Sequence, residues 1–297
     1  MKEALLVVNP SARGEKAKEF KEQALAKLEQ FFDKVQVKET KKGGDARDFA
    51  RQAARDGLDT VIVMGGDGTV NEGISGLAEE DYRPNFGFFP LGTVNDLART
   101  LKIPLNPADA IEAFDVSKTK PLDIGKINDH YFMNVVAIGI IPEAINGVSV
   151  EEKTKFGKLA YFMSGFKNMM QSTSHDFTLT IDGQEKNLTS STILVGLTNS
   201  IGWFETLLPD AKVDDGLLHL IYLKDGTMLQ SLQALPSLVS GVSASNDNVG
   251  CLTFKEATIS INDGQLATNV DGDEGDKLPV TIKILPSHLT VYVSEKA

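Results

Sequence analysis

One short stretch of the chain combines glycines, a carboxylate and a hydroxyl directly after an apolar run. Residues 61–64 read Val-Ile-Val-Met and residues 65–69 read Gly-Gly-Asp-Gly-Thr. A strand that enters a helix through such a turn directs backbone N–H groups and the positive end of the helix dipole at one point, which suits a phosphate group. The stretch lacks the Gly-Lys-Ser/Thr of a P-loop and the glycine spacing of a dinucleotide fingerprint.

The carboxylate of Asp67 needs its own explanation, because it would repel a bound phosphate. A magnesium ion between the two groups removes that repulsion, and carboxylate oxygens are common magnesium ligands. The alternative is an ordinary strand–turn–helix connection in which Asp67 caps the helix. Both hypotheses stay open for this stretch taken alone.

A near copy of the pattern follows the next apolar run. Residues 92–96 read Gly-Thr-Val-Asn-Asp, and residues 68–72 read Gly-Thr-Val-Asn-Glu. Two other apolar runs also end in polar turns, with Asn-Pro-Ser-Ala-Arg at residues 9–13 and Thr-Lys-Lys at residues 40–42. Polar turns at four successive strand ends predict a single phosphate-binding cleft.

The first third of the chain has the alternation of strands and helices that such a cleft requires. Short apolar runs predict strands at residues 4–8, 35–39, 59–64 and 85–89. Apolar residues at helical spacing and glycine-led turns predict helices at residues 16–32, 44–56, 70–78 and 94–101. This order predicts a doubly wound parallel sheet with helices on both faces and ligands beyond the carboxyl ends of the strands.

Strand-like runs dominate the sequence after about residue 126. They lie at residues 176–182, 191–199, 217–223, 251–262 and 266–271 and are separated by Gly, Asp or Asn turns, of which Asp182-Gly183 is a hairpin signal. This pattern predicts an antiparallel β domain. A helix with an apolar, methionine-containing face is predicted at residues 158–172, and the run at 289–293 could close onto either domain.

Composition limits the classes of function. The 297 residues carry a formal net charge of -11, which disfavours nucleic-acid binding. The single cysteine, Cys251, excludes an internal disulfide and suits a reducing compartment. The absence of a secretory leader and of an apolar run of about 18 residues predicts a cytoplasmic protein without a transmembrane segment.

Three segments together resemble one known family. They are Asn9-Pro10, the Gly-Gly-Asp-Gly-Thr-Val-Asn-Glu of residues 65–72 and the Pro-Leu-Gly-Thr-Val-Asn-Asp-Leu-Ala-Arg of residues 90–99. They resemble the catalytic domain of the diacylglycerol kinases, most closely the soluble bacterial lipid kinases, which are similar to sphingosine and ceramide kinases. The resemblance covers nearly the whole chain and implies transfer of a phosphoryl group from ATP to a lipid hydroxyl, with diacylglycerol as the expected acceptor.

The resemblance also implies a division into two domains. Residues 1–126 are expected to form a nucleotide-binding α/β domain similar to phosphofructokinases and NAD kinases, with residues 286–297 as a candidate addition to it. Residues 127–285 are expected to form a β-sandwich domain for the acceptor, with the active site between the two. The acceptor would then enter past the predicted helix at residues 158–172.

The family's functional residues transfer to matching positions in this chain. The expected nucleotide-binding residues are Asn9, Pro10, Ser11, Ala12, Arg13, Thr40, Gly66, Asp67, Gly68, Thr69, Val70, Asn71, Glu72 and Thr93. Asp67, Asp96 and Asp123 are expected to hold Mg²⁺ directly or through water. The segment at residues 207–219 resembles a second cation site, which implies Asp215 together with the backbone carbonyls of Lys212 and Leu217.

The expected general base departs from the family pattern. The family's terminal motif is Asp-Gly-Glu, whereas residues 271–273 read Asp-Gly-Asp. The resemblance therefore assigns the base to Asp273, whose side chain is one methylene shorter than glutamate. A general base must reach hydrogen-bond distance of the hydroxyl, and the neighbouring Glu274 is the alternative.

Several other assignments fit the same sequence. The acceptor could be another lipid alcohol, such as phosphatidylglycerol or a long-chain base, or a soluble molecule as in NAD kinases. A nucleotide sensor without catalysis is a further alternative. A lipid acceptor implies peripheral contact with a membrane surface, and exposed edge strands in the β domain could pair two copies as a homodimer.

Overall fold

The computed structural model describes residues 2–12, 17–139, 174–199, 208, 210–224 and 249–294. Arg13 and the predicted helix at residues 158–172 lie outside these residues. Within them, no helix is long and apolar enough to cross a lipid bilayer.

Strands and helices alternate in the first part of the chain, as predicted. The strands are β1 (Glu3–Val8), β2 (Lys34–Glu39), β3 (Thr60–Gly65) and β4 (Asn85–Pro90). The helices are α1 (Ala17–Leu28), α2 (Asp45–Arg55), α3 (Asp67–Ala78), α4 (Asp96–Thr100) and α5 (Pro107–Glu112). The four strands are parallel, in the order β2-β1-β3-β4. Strand β3 is buried along its whole length, as expected where helices cover both faces of a sheet.

Two helices, α3 and α4, start more than one residue away from the predicted position. Helix α3 starts at Asp67 instead of residue 70, so the Asp-Gly-Thr of the glycine stretch lies in its first turn. Helix α4 starts at Asp96 instead of residue 94, because Asn95 has a left-handed backbone with φ of 55°. In both cases the glycine-containing turn made the helix start hard to place from the sequence, because the first helical residue depends on local backbone angles.

The strand order creates a topological switch between β1 and β3. The chain passes from β1 to β2 on one side and then returns past β1 to β3 on the other. Right-handed crossovers therefore place α1 and α2 on opposite faces of the sheet, and α1 packs with α5 while α2 packs with α3. The loops after β1 and β3 diverge at this point and leave a crevice at the carboxyl ends of the strands.

The second part of the described chain consists of strands that pair mainly in antiparallel fashion. They are β5 (Thr119–Ile127), β6 (His130–Phe132), β7 (Val135–Ile138), β8 (His175–Ile181), β9 (Gln184–Ser190), β10 (Ile193–Gly196), β11 (Leu218–Leu223), β12 (Val249–Phe254), β13 (Glu256–Ile261), β14 (Ala267–Val270), β15 (Asp273–Lys277) and β16 (Val280–Tyr292). The predicted hairpin at Asp182-Gly183 is confirmed, since both residues have positive φ (47° and 82°) between β8 and β9. The single run predicted at residues 251–262 is two strands, β12 and β13, which belong to different sheets.

Two sheets pack face to face in this part, which confirms the predicted β-sandwich. Within the described residues, one sheet continues from the parallel strands in the order β2-β1-β3-β4-β16-β13-β8-β9, with β5 and β6 beside it. The other sheet has the order β12-β11-β10-β7-β14-β15. Buried side chains from both sheets share one core, with Phe177 and Ile282 from the first and Val195 and Phe254 from the second.

Strand β16 connects the two halves of the molecule. Its first part pairs with β13, and Val291 near its end lies parallel to Phe86 of β4. The run predicted to close onto either domain is thus the end of β16, beside the parallel strands. Strand β5 crosses the predicted junction at residue 126, and the division into 1–126 and 127–285 stays a prediction.

Gly76 tests how closely α2 and α3 pack. A Cβ atom at this position would lie 2.2 Å from the backbone oxygen of Arg47, so we expect Gly76→Ala to push the helices apart. Overpacking of this kind costs about 1–3 kcal/mol in free energy of unfolding. Chemical denaturation measures this loss, with Ser75→Ala on the same helix as the control. Equal stability of the two variants would contradict the packing described here.

Candidate active site

A cleft of about 230 Å³ opens at the carboxyl ends of β1, β2 and β3. Its walls are formed by Asn9, Ser11, Thr40, Lys41, Lys42, Gly43, Thr69 and Glu72. Asn9 joins two of the loops, because its Nδ2 donates to Oγ1 of Thr69 at 3.0 Å. Its Oδ1 also accepts the N–H of Ser11 at 3.1 Å. The structure therefore brings the turns that follow three strands together around one cavity.

Lys41 and Lys42 line this cleft but were not among the expected nucleotide-binding residues. Both are exposed, and their ammonium groups supply the positive charge that a polyphosphate requires. Their position directly after Thr40, at the end of a strand, was the signal that could have assigned them to the site.

The N-terminus of α3 faces the same cleft. Gly66 is the N-cap residue and offers no side chain to the first turn, so no N-cap side chain covers the backbone N–H groups there. A Cβ atom on Gly68 would meet no other atom within 4 Å. Contacts within the protein therefore do not require a glycine at this position. A glycine at this position leaves the backbone uncovered, which is the property that a phosphate-binding turn requires.

The two glycine turns are in direct contact with each other. A Cβ atom on Gly66 would lie 3.3 Å from Cα of Gly92, and one on Gly92 would lie 3.0 Å from Cα of Gly66. Gly92 is also constrained by Asn95, whose Oδ1 would be 2.5 Å from the added atom. The two near copies therefore lie side by side, as expected, and a side chain on either glycine would force the turns apart. Of the two turns, only the first contributes to the cleft described above, through Thr69 and Glu72.

Asp67 connects these two turns through its carboxylate. Oδ2 accepts the N–H of Asn95 at 2.9 Å and Oδ1 accepts the N–H of Asp96 at 3.2 Å. Burial raises the pKa of Asp67, the Asn95 N–H opposes that shift, and the negative charge of Asp96 adds to it. The alternative in which Asp67 caps its own helix is wrong, because the N-cap of α3 is Gly66. The carboxylate of Asp67 caps the start of α4 instead.

Glu72 has a similar structural role toward α2. Oε1 accepts the N–H of Gly44 at 2.9 Å and Oε2 accepts the N–H of Ala46 at 3.2 Å. Both oxygens therefore cap the N-terminus of α2, which follows the loop with the two lysines. Glu72 was expected to bind the nucleotide, and the structure shows that it also fixes one wall of the cleft.

The other expected nucleotide-binding residues occupy different environments. Pro10 and Ala12 lie in the turn after β1, and Thr93 is exposed on the second glycine turn. The side chain of Val70 is only 3% exposed and belongs to the core, so its backbone alone is available to a ligand. The Oδ1 atom of Asn71 is buried and has no hydrogen-bond partner among the described residues.

Asp123 lies with the predicted second cation site. Its carboxylate accepts the N–H of Gly216 at 2.7 Å and the N–H of Ser287 at 2.6 Å. Burial raises the pKa of Asp123, these two donors oppose the shift, and the charges of Asp215 and Asp214 add to it. Asp123 therefore lies beside the loop that carries Asp215, whereas Asp67 contacts the start of α4.

Asp215 organises the loop at residues 212–217. Its carboxylate accepts the N–H of Lys212 at 3.0 Å and the N–H of Leu217 at 2.9 Å, and Nε2 of His219 lies 3.0 Å from Oδ2. The structure thus brings the three expected ligand residues together, with amide groups directed at the carboxylate. Across the described ranges, no three His, Cys, Asp or Glu side chains converge in the manner of a preformed metal site.

The terminal acidic motif forms a β-hairpin that the sequence did not predict. Asp271 and Gly272 have φ of 50° and 101° and connect β14 to β15, as expected for the Asp-Gly turns of tight hairpins. The same signal had correctly identified the turn at Asp182-Gly183. Asp273 and Glu274 are the first two residues of β15 and both are exposed. Successive strand residues point to opposite faces, so the two carboxylates cannot serve the same side of the hairpin.

Asp271 is the functional candidate that the sequence missed. Its carboxylate accepts three backbone N–H groups, from Met133 at 2.8 Å, Asn134 at 3.0 Å and Val135 at 2.8 Å. Burial nevertheless raises the pKa of Asp271 to about 6, and the negative charge of Asp67 contributes. The hairpin tip is therefore close enough to the glycine turns for the two acids to interact.

Two family matches cover the two halves of the chain. Residues 3–127 match the family described as the diacylglycerol kinase catalytic domain. Residues 134–293 match the YegS C-terminal NAD kinase beta sandwich-like domain.

Whole proteins show the same relationship. A Streptococcus pneumoniae protein named as a lipid kinase is 39% identical over 100% of this chain and 99% of its own length. The diacylglycerol kinase of Bacillus subtilis is 33% identical over 100% and 98% of the two chains. A Bacillus anthracis crystal structure, described as that of a diacylglycerol kinase, superposes with a TM-score of 0.86 at 28% identity and covers 99% of this chain and 96% of that one. The chain therefore belongs to the diacylglycerol kinase family, and the predicted ATP-dependent lipid kinase is confirmed at this level.

Substitution of Gly68 tests the phosphate site. We expect Gly68→Ala to raise the KM for ATP at least tenfold, because a methyl group would occupy the space of a phosphate oxygen. Stability should not fall, since the added atom meets nothing in the protein and alanine favours a helix by about 1 kcal/mol over glycine. Steady-state kinetics and thermal unfolding measure the two effects, with Ser75→Ala as the control. An unchanged KM would remove Gly68 from the nucleotide site.

The raised pKa of Asp271 predicts a pH dependence of stability. Its folded-state pKa of about 6 exceeds the ordinary value of 3.8, so its contribution to stability is fully present below pH 3.8 and is lost as the pH rises through 6. Relative to Asp271→Asn, the wild-type protein should lose on the order of 3 kcal/mol across this window, at about 1.4 kcal/mol for each pKa unit. Urea denaturation of both proteins at several pH values measures the difference. A difference that does not change with pH would contradict this assignment.

Proposed function

We propose that this protein transfers the γ-phosphoryl group of ATP to the free hydroxyl of diacylglycerol and so forms phosphatidic acid. The observation that supports this most is the cleft in which Thr69, from the first turn of α3, lies with Lys41 and Lys42. Gly68, the residue before Thr69, leaves the backbone of that turn uncovered. The names of the relatives support diacylglycerol as the acceptor.

The described residues suggest how the nucleotide would be held. Backbone N–H groups at Gly68 and Thr69 would donate to phosphate oxygens, and the ammonium groups of Lys41 and Lys42 would balance their charge. Asn9 would keep the turn after β1 in place through its bond to Thr69. These groups position a charged substrate, which is the main requirement of phosphoryl transfer.

A magnesium ion fits beside the glycine turns. Asp67 and Asp96 are close enough for the charge of one to raise the pKa of the other, and a divalent cation would relieve that repulsion. When bound with ATP, Mg²⁺ would neutralise phosphate charge. A second cation would be held by Asp215 with Lys212 and Leu217, near Asp123.

The proton of the acceptor hydroxyl would pass to Asp273. In the proposed step, the lipid oxygen forms a bond to the γ-phosphorus, the bond from that phosphorus to the bridging oxygen breaks, and ADP leaves. The proton moves to the Asp273 carboxylate, in the role of a general base. Exposure of Asp273 at the start of β15 is compatible with access to a substrate.

A lipid acceptor also predicts where the protein works. We propose peripheral contact with a membrane surface, because the acyl chains of diacylglycerol stay in the bilayer while its hydroxyl lies at the interface. A homodimer formed through an exposed edge strand stays a prediction.

Phosphate transfer from labelled ATP to several acceptors tests this function. We expect diacylglycerol in mixed micelles to be phosphorylated faster than phosphatidylglycerol, a long-chain base, NAD or fructose 6-phosphate. Asp273→Ala should lower kcat by about 10²–10⁴-fold, as for loss of a general base, while Glu274→Ala serves as the matched control. Turnover with NAD alone would exclude diacylglycerol as the acceptor, and a larger loss in Glu274→Ala would assign the general base to Glu274.

A further inference from the structure

The hairpin that carries Asp273 lies at the margin of its sheet. In the described part of the structure, β15 is the last strand of the second sheet and pairs with β14 alone. Its pairing with β14 is irregular between Ala267 and Asn269. Edge strands with a single neighbour are held less firmly than central ones, so the position of Asp273 depends on what fixes the turn.

Asp271 is the residue that fixes this turn. Its carboxylate accepts the N–H groups of residues 133, 134 and 135 at 2.8–3.0 Å. Its own backbone N–H donates to the oxygen of Val135 at 2.9 Å. A carboxylate that accepts several backbone N–H groups forms strong, charge-assisted bonds, which hold the hairpin tip in one place.

The segment at residues 133–135 is itself attached to the nucleotide-binding half. Met133 is 2% exposed and packs in the core of the parallel strands and their helices. Helix α3, which begins at Asp67, packs against β6 just before this segment. Asp271 therefore connects the hairpin of one half to the framework that carries the glycine turns in the other.

We propose that Asp271 is a positioning residue for phosphoryl transfer, which holds the Asp271-Gly272 turn against residues 133–135 and thereby places Asp273 at the cleft. This inference rests on the proposed function, because Asp273 has a catalytic position only if the protein is a kinase. Asp271 itself contacts backbone groups and acts through the hairpin.

The chain contains a matched hairpin that serves as a control. Asp182 also precedes a glycine, has a left-handed φ of 47°, and accepts backbone N–H groups from Lys255 at 3.1 Å and Glu256 at 2.9 Å. It joins β8 to β9, at the far end of the first sheet from the cleft. Asp182 and Asp271 therefore both accept backbone N–H groups from another segment, but only the hairpin at Asp271 contains the proposed general base, Asp273.

The first test compares Asp271→Asn with Asp182→Asn. Asparagine tolerates the left-handed backbone, but its amide group would face the Met133 N–H as a second donor. We expect Asp271→Asn to lower kcat by about 100-fold, the effect of displacing a reacting group by about 1 Å. The KM for ATP should change less than threefold, and Asp182→Asn should leave both constants unchanged.

A second pair of variants tests the same proposal if Asp271→Asn does not fold. Gly272 and Gly183 have φ of 101° and 82°, and an added Cβ atom would meet nothing within 4 Å at either position. Gly272→Ala and Gly183→Ala therefore strain equivalent turns without a clash. We expect Gly272→Ala to reduce kcat and Gly183→Ala to leave kcat unchanged. Equal kcat values in these two variants would contradict the proposal even if Asp271→Asn does not fold.

Hydrogen exchange separates the positioning role from the kinase function. In Asp271→Asn, the amide of Met133 should exchange at least tenfold faster than in the wild-type protein, whether or not any lipid is phosphorylated. Faster exchange together with unchanged kcat in both hairpin variants would overturn the proposal. Unchanged exchange at residue 133 would also overturn it, whereas a wild-type protein without kinase activity would refute the proposed function.

Discussion

The contact between Gly66 and Gly92 is the constraint on which the rest of the site depends. The two turns approach so closely that a Cβ atom on either glycine would lie only 3.0–3.3 Å from the Cα atom of the other glycine. Their approach brings the starts of α3 and α4 together, and the carboxylate of Asp67 bridges them by accepting two N–H groups. A helix start with its N–H groups directed at the cleft is then held at the switch point of the parallel sheet, where ligands bind in this architecture.

Carboxylates that cap helices and turns recur throughout the molecule. Asp67 caps α4, Glu72 caps α2, and Asp271 binds the turn between β6 and β7. Each acid joins segments that are distant in the sequence and satisfies N–H groups that would otherwise be left without partners. An acidic residue near the proposed phosphate site thus has a structural reason to be there, and a bound cation would add to that role instead of being its only explanation.

Strand β16 explains how the two halves keep a common geometry. It pairs with β13 of the sandwich and with β4 and β5 beside the parallel strands. One hydrogen-bonded sheet therefore continues from the nucleotide-binding strands into the sandwich. The hairpin with Asp273 belongs to the other sheet, which is why its alignment with the cleft depends on the side chain of Asp271.

The sequence determined the parts of this protein that depend on local chemistry. Apolar runs followed by glycine turns identified the parallel strands, and the positions of Asn9, Thr40 and Thr69 at strand ends correctly predicted a shared cleft. Two Asp-Gly pairs encode hairpins, although only the one at residues 182–183 was predicted. The pair at residues 271–272 was interpreted only as part of the terminal acidic motif.

Tertiary structure alone decided which acids meet which partners. Asp67 binds N–H groups 28 and 29 positions away, Asp123 binds one that is 93 positions away, and Asp271 binds one that is 136 positions away. Local spacing contains no information about these pairs, since they form only when sheet order and loop packing bring distant backbones together. The sequence therefore predicted a kinase cleft. The tertiary structure showed that Asp67, Asp123 and Asp271 stabilise the loops of the site by accepting backbone N–H groups.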